Sequence, residues 1–144
     1  MKNVGVIGGG LIGASWAAIF SKSGFSVYVY DPYPTVFKTY KERVKLFLEE
    51  LKSIDKDIDI EESLDRISAN VSIEELCSKV DYIQESAPEI LSVKQELFAK
   101  LDILSPEHVV IGSSSSAMPI SKITQNLKGQ HRCLIAHPAN PPHL

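Results

Sequence analysis

Cysteine is scarce in this sequence: Cys77 and Cys133 are the two present in 144 residues. That is too few for a disulfide framework. Both stand in apolar surroundings and read as buried free thiols, which suits a reducing cytoplasm. An excess of positive charge is missing too. Fifteen Lys and Arg against 18 Asp and Glu leave a net charge of −3, the opposite of the basic footprint that nucleic-acid binding requires. Charge is absent altogether from residues 4–20, VGVIGGGLIGASWAAIF. Such a run approaches the length of a membrane span and, behind Met1-Lys2, imitates the apolar core of a secretion signal. Three consecutive glycines break a lipid-facing helix, so neither a membrane nor an export role is expected. There is no internal repeat, low-complexity tract or interdomain linker. What remains is ordinary for a soluble globular chain, 44% apolar and 23% charged. It has one domain's length and enough of it to bury a core without disulfides or metal. No metal site is expected.

Short apolar or β-branched runs alternate with helical patterns along the whole chain. Val4-Gly5-Val6-Ile7 reads as a buried strand ending in glycines. A helix is predicted from Leu11 to Ser23, with Gly24 as its stop. Residues 26–31, SVYVYD, form a second strand. From Thr35 to about Ile54 the apolar positions Val36, Tyr40, Val44, Phe47, Leu48 and Leu51 share one helical face. Further strands are predicted over 66–71, 81–86, 109–112 and 133–136. Helical segments follow at 60–64, behind the capping sequence Ser72-Ile73-Glu74-Glu75, from Pro88 to about Leu104, and from Pro119 to about Asn126. Strand-helix alternation predicts an α/β domain over 1–144: a Rossmann-type, doubly wound parallel sheet with helices on both faces.

The glycines carry the first chemical signal. Gly8-Gly9-Gly10-Leu11-Ile12-Gly13 contains G-x-G-x-x-G, a weak pattern alone but here placed between a predicted strand and a predicted helix. Gly8 allows the tight turn, Gly10 lets a pyrophosphate approach the backbone, and Gly13 lets helix and strand pack closely. The free N–H groups at Leu11 and Ile12 open the helix, where an anion is favoured. Asp31 ends the second strand eighteen residues after Gly13. A carboxylate there accepts from the adenine-ribose hydroxyls and repels a 2′-phosphate. No arginine stands beside it in sequence, so NAD is expected over NADP.

Ligands of an open parallel sheet bind outside the carboxyl ends of its strands, and three polar groups are expected there. Glu85, Ser86 and Glu89 follow the fourth strand, Ser113 to Ser116 the fifth, and His137 and Asn140 the sixth. His137 lies in H-P-A-N-P-P, where Pro138, Pro141 and Pro142 stiffen the chain. A histidine can take the proton of a secondary alcohol as its carbon gives up hydride; a structural histidine at a strand end fits the residues equally well. The serines read as caps or as hydroxyls aimed at the substrate or the nicotinamide. Lys38, Lys41, Arg43, Lys45 and Lys52 read first as a solvated helix face and second as a surface for substrate phosphates. His108, His131 and His143 are expected at the surface.

The GGGLIG start, Asp31, the QESAPE segment, Lys94, SSSSA and AHPANPP together resemble the L-3-hydroxyacyl-CoA dehydrogenase family over the whole chain. The last three segments are most similar to its branch containing lambda-crystallin, an L-gulonate 3-dehydrogenase. The most specific element is H-P-x-N-P-P, set twenty-one residues after Ser116. The resemblance implies NAD-dependent oxidation of a 3-hydroxyacyl-CoA or a small hydroxy acid, with His137 as general acid/base. It implies Ser116 on the substrate's hydroxyl or carbonyl, with Asn140 as the motif's asparagine. Glu89 and Lys94 fall near the nicotinamide-side ribose, and Ser86 and Ser114 line the cofactor. It also implies a glutamate about a dozen residues beyond the histidine, and a helical C-terminal domain that supplies substrate pocket and homodimer contact. The chain stops at Leu144, so it reads as a fragment in which cofactor binding outlasts catalysis.

Overall fold

Six short runs of apolar and β-branched residues become strands in the computed structural model, which describes residues 2–144. They are β1 (Asn3–Ile7), β2 (Ser26–Tyr30), β3 (Ile67–Ala69), β4 (Tyr82–Glu85), β5 (Val110–Ser113) and β6 (Cys133–Ile135). All neighbours pair in parallel, in the order β3-β2-β1-β4-β5-β6. β1 is central, with β2 on one side and β4 on the other, so the winding direction reverses there. The crevice at that reversal, above the carboxyl ends, is the ligand position of a doubly wound sheet.

Strand side chains alternate between the two faces. On β1, Val6 joins a core built with α1 (Leu11–Lys22), α2 (Tyr40–Ile54) and α3 (Ile60–Asp65). Ile7 points to the other face, where α4 (Ile73–Lys79), α5 (Leu91–Leu104) and α6 (Ile120–Ile123) cover Ile83 and Ile111. The face of α2 read from the sequence is the buried one: Tyr40, Val44, Phe47, Leu48 and Leu51 all pack inward. The uncharged run 4–20 is thereby explained as a core strand, a glycine turn and a helix against the sheet. Among the described residues no helix is long and apolar enough to cross a membrane.

Four local expectations are corrected. The helix expected from Pro88 starts at Leu91, because the chain before it is tied by side chains: Ala87 N–H donates to the Glu85 carboxylate, and Lys94 Nζ donates to the Ala87 carbonyl. The helix expected from Thr35 starts at Tyr40; Thr39 (φ −122°, ψ 15°) leaves helical geometry and Pro34–Thr39 form a 3-10 turn. Cys133 is half-buried, unlike Cys77, because β6 is an edge strand. His143 is 6% exposed. Its ring stacks on Phe47 at 4.3 Å, and its nitrogens face Ser15 Oγ and Glu50 Oε2. Both of those partners are remote in sequence, which is why nothing local marked it as buried.

Candidate active site

Each glycine of the turn between β1 and α1 answers a different steric demand. Gly8 has φ +96°, and a Cβ there would lie 2.7 Å from the Ser86 carbonyl oxygen. A Cβ on Gly13 would lie 1.8 Å from the Gly8 carbonyl oxygen, inside any tolerable contact. At Gly10 a Cβ would meet nothing within 4 Å. That last glycine therefore serves no packing need of the protein itself; it keeps a space open in front of the helix. The Ala14 N–H donates to the Gly10 carbonyl at 2.9 Å. The N–H groups of Leu11, Ile12 and Gly13 come earlier and have no partner within the helix. α1 carries no acidic residue in its first turn and no side-chain cap. Its positive end is thus left for an external anion, and the open cradle fits a dinucleotide pyrophosphate.

Asp31 is held beside this loop. One carboxylate oxygen accepts from Gly9 N–H and the other from Tyr33 N–H, each at 2.8 Å. The sequence suggested no arginine near it, and the structure corrects this. Arg43, on the first turn of α2, donates to the Gly9 carbonyl at 2.8 Å. Carboxylate and guanidinium thus bracket the same glycine. The twelve-residue separation along the chain, across a 3-10 turn, hid that approach. Of the basic residues read as a solvated helix face, Arg43 is the one that turns inward.

Across the reversal point lies a cleft of about 200 Å³, lined by Ile12, Ser86, Ala87, Glu89, Lys94, Ser114 and Ser116. Six of these seven are residues the sequence nominated. Larger hollows open elsewhere, about 540 Å³ beside Asp102 and Arg132, about 370 Å³ beside Lys22 and Arg66, and about 280 Å³ beside Tyr40 and Ile67. The first two sit at the amino ends of the strands, the wrong edge for this architecture, and the third lies between α2 and the edge strand β3, away from the reversal point.

Lys94 at 1% exposure and Glu85 at 0% form a buried ion pair at 2.7 Å. Ser113 donates to the second Glu85 oxygen. Glu89 lies 3.4 Å from the same ammonium. Partial burial pushes the Glu89 carboxyl up, but the Ser115 hydroxyl, the Ala117 amide, the Lys94 charge and the Ser116 amide outweigh it and hold it below the usual carboxylate range. Glu89 therefore stays charged and locks the loop after β5 to the loop after β4.

Ser114 is the hub of a second network. Its hydroxyl lies 3.0 Å from Ser86 Oγ and accepts from Gln84 Nε2 at 2.8 Å and Trp16 Nε1 at 3.2 Å. Gln84 also donates to the carbonyl of Ala136, the residue before His137. The histidine is exposed at the rim of the cleft, with Nε2 2.8 Å from Ser116 Oγ. Ser116 and His137 come together from β5 and β6. Asn140 is exposed, and no hydrogen bond of its side chain ties it to the cleft among the described residues.

Sequence reasoning placed Glu85 and Ser113 at the right edge but assigned them no role, and it missed Gln84, Trp16 and Arg43. A usable signal existed for Gln84-Glu85: two polar residues end an otherwise apolar strand, and such groups need partners when buried. Trp16 offered no comparable signal.

The chain matches the family model described as 3-hydroxyacyl-CoA dehydrogenase, NAD binding domain, over residues 3–144. It is 36% identical to lambda-crystallin of Oryctolagus cuniculus over 141 residues, covering 96% of this chain and 44% of that protein. It is 32% identical to L-carnitine dehydrogenase of Streptomyces coelicolor, covering 100% of this chain and 45% of the relative. The crystal structure of 3-hydroxybutyryl-CoA dehydrogenase from Escherichia coli superposes with a TM-score of 0.88 at 26% identity, over 98% of this chain and 30% of that one. The chain thus spans less than half the length of these relatives. A glycine cradle kept open at a helix end, an acid fixed beside it and a match across residues 3–144 lead to one assignment: the chain belongs to the 3-hydroxyacyl-CoA dehydrogenase family, as its NAD-binding domain, and NAD is its cofactor.

Proposed function

We propose that this domain serves a dehydrogenase that oxidises a 3-hydroxy substrate, a 3-hydroxyacyl-CoA or a small hydroxy acid such as L-gulonate, to the 3-oxo product. The contact between Ser116 Oγ and His137 Nε2, 2.8 Å at the rim of the cleft, carries the reading. NAD, when bound, supplies the acceptor for the hydride leaving the alcohol carbon. His137 Nε2 takes the hydroxyl proton, so the substrate loses one hydride and one proton and gains a carbonyl. Ser116 orients the reacting oxygen, and Asn140, three residues after His137 in the H-P-A-N-P-P segment, is assigned to the substrate side. The amides of Leu11 and Ile12 and the space left at Gly10 hold the pyrophosphate, while Gly8 allows the tight turn and Gly13 the close packing of helix on strand behind it. Asp31 holds the adenine-side ribose, while Glu89 and Lys94 face the nicotinamide-side ribose. Ser86 and Ser114 line the cofactor between them.

The names of the relatives, L-carnitine dehydrogenase and 3-hydroxybutyryl-CoA dehydrogenase, both describe oxidation of a hydroxy compound and leave the acyl group open. The reading includes a helical domain that closes the substrate side and carries a homodimer contact, in keeping with relatives more than twice as long. Free thiols at Cys77 and Cys133 suit the cytoplasm.

The test is His137→Ala in the full-length protein, assayed with 3-hydroxybutyryl-CoA and with L-gulonate. Turnover of the preferred substrate falls about 10²- to 10⁴-fold, while the NADH dissociation constant is unchanged. Wild-type turnover in the variant refutes the role of His137. The alternative is a module that binds NAD(H) without chemistry. It is upheld if the full-length protein binds NADH tightly and turns over neither substrate.

A further inference from the structure

We propose that Arg43 is a latent 2′-phosphate site, kept silent by Asp31, so that one carboxylate alone sets the preference for NAD over NADP. The inference rests on the reading that Asp31 holds the adenine-side ribose.

Asp31 and Arg43 reach the two polar groups of one residue, the carboxylate on Gly9 N–H and the guanidinium on Gly9 C=O, each at 2.8 Å. They therefore stand one residue's backbone apart, at the place where the ribose hydroxyls of a bound dinucleotide lie in this architecture. Yet they form no ion pair with each other among the described residues. Among the described residues Arg43 forms no ion pair with any acid. A guanidinium offers five N–H donors in a planar fork. Two are engaged, on the Gly9 carbonyl and on Thr39 Oγ1, and the remaining donors suffice for a bidentate grip on phosphate. Half-burial of the side chain and its anchor on the loop keep the fork in place.

A 2′-phosphate entering the wild-type site meets the Asp31 charge at close range, and like charges there are repelled. Without that charge, the ionic group left on the same glycine is the Arg43 cation. In this fold a 2′-phosphate is ordinarily accommodated by an arginine near the end of the second strand. Here the arginine arrives from α2 instead, so the preference is set by subtraction and no new cation is needed to reverse it.

The experiment is a fluorescence titration of NADH and NADPH binding to the wild-type protein, Asp31→Asn, Arg43→Ala and the double variant. Gly9 N–H and Tyr33 N–H donate to different oxygens of Asp31, so asparagine keeps an acceptor for one of them and loses the other, and circular dichroism with thermal melting shows whether the loop still folds. Asp31→Asn should weaken NADH about tenfold and tighten NADPH about tenfold or more, one or more powers of ten in Kd each. The double variant should lose the NADPH gain. Asp31→Ser, which removes the bulk as well as the charge, repeats the test if Asn proves misfolded. A gain in NADPH affinity that survives Arg43→Ala overturns the inference, as does a folded Asp31 variant with no gain. If NADH binding is indifferent to Asp31, the ribose assignment itself fails and the inference falls with it. A merely structural Arg43 gives a distinct signature: Arg43→Ala weakens both dinucleotides equally, and the NADPH response of Asp31→Asn does not depend on it.

Discussion

Gly10 and Gly13 sit three residues apart in one motif, yet replacement by alanine should damage different properties. At Gly10 the backbone (φ −68°, ψ −166°) is open to any residue, and the added Cβ finds nothing within 4 Å. Gly10→Ala should therefore fold as well as the parent, or gain about 0.4–1 kcal/mol from the stiffer unfolded chain. Its methyl group occupies the approach to the Leu11 and Ile12 amides. Losing one or two charge-assisted hydrogen bonds there, at about 1.5–3 kcal/mol each, weakens NADH about tenfold to a thousandfold or more. At Gly13 the new methyl would stand 1.8 Å from the Gly8 carbonyl oxygen and 3.2 Å from a Val6 methyl. Ordinary contact requires α1 to back away from β1 by more than about 1 Å, and such overpacking costs about 1–3 kcal/mol. Urea denaturation followed by circular dichroism measures the stability, and NADH fluorescence titration measures the binding. Normal NADH affinity in Gly10→Ala, or undiminished stability in Gly13→Ala, would show that the turn is not used in this way.

Two further outcomes concern the groups that hold the loops. Lys94→Met strands the fully buried Glu85 carboxylate and should cost about 3–5 kcal/mol in urea denaturation; adding Glu85→Gln should recover part of it, and a loss under about 1 kcal/mol contradicts the buried pair. Burial pushes the Asp102 carboxyl up, but the Arg132 guanidinium and the Gly129 amide more than offset this, so its pKa lies below the usual carboxylate value. A lowered folded pKa adds stability above the unfolded value of about 4, and that stability is lost as pH falls through the folded value. Asp102→Asn should therefore lower the melting temperature at pH 7 and flatten its fall below about pH 4, and an unchanged acid limb by scanning calorimetry contradicts this.

Much of the molecule was legible because its signals are local. Alternating residues in 26–31 and the 3.6-residue pattern from Val36 to Leu51 depend on neighbours in the chain, and they predict β2 and the buried face of α2. The glycine turn was legible for the same reason: Gly8 and Gly13 face each other across five residues, and Asp31 lies one strand away. The order of elements along the chain was enough to say that Ser86, Glu89, Ser114, Ser116 and His137 share one edge of a parallel sheet. What the order could not contain was how the long side chains cross between elements. Arg43 folds back over a 3-10 turn to Gly9, Gln84 reaches from β4 to the residue before His137, and His143 packs between α1 and α2. Each contact depends on the angle at which a helix lies on the sheet, and that angle is set by the summed packing of both cores. Composition and spacing decided which chemistry this chain carries; only the assembled sheet decided that a carboxylate and a guanidinium would meet across one glycine.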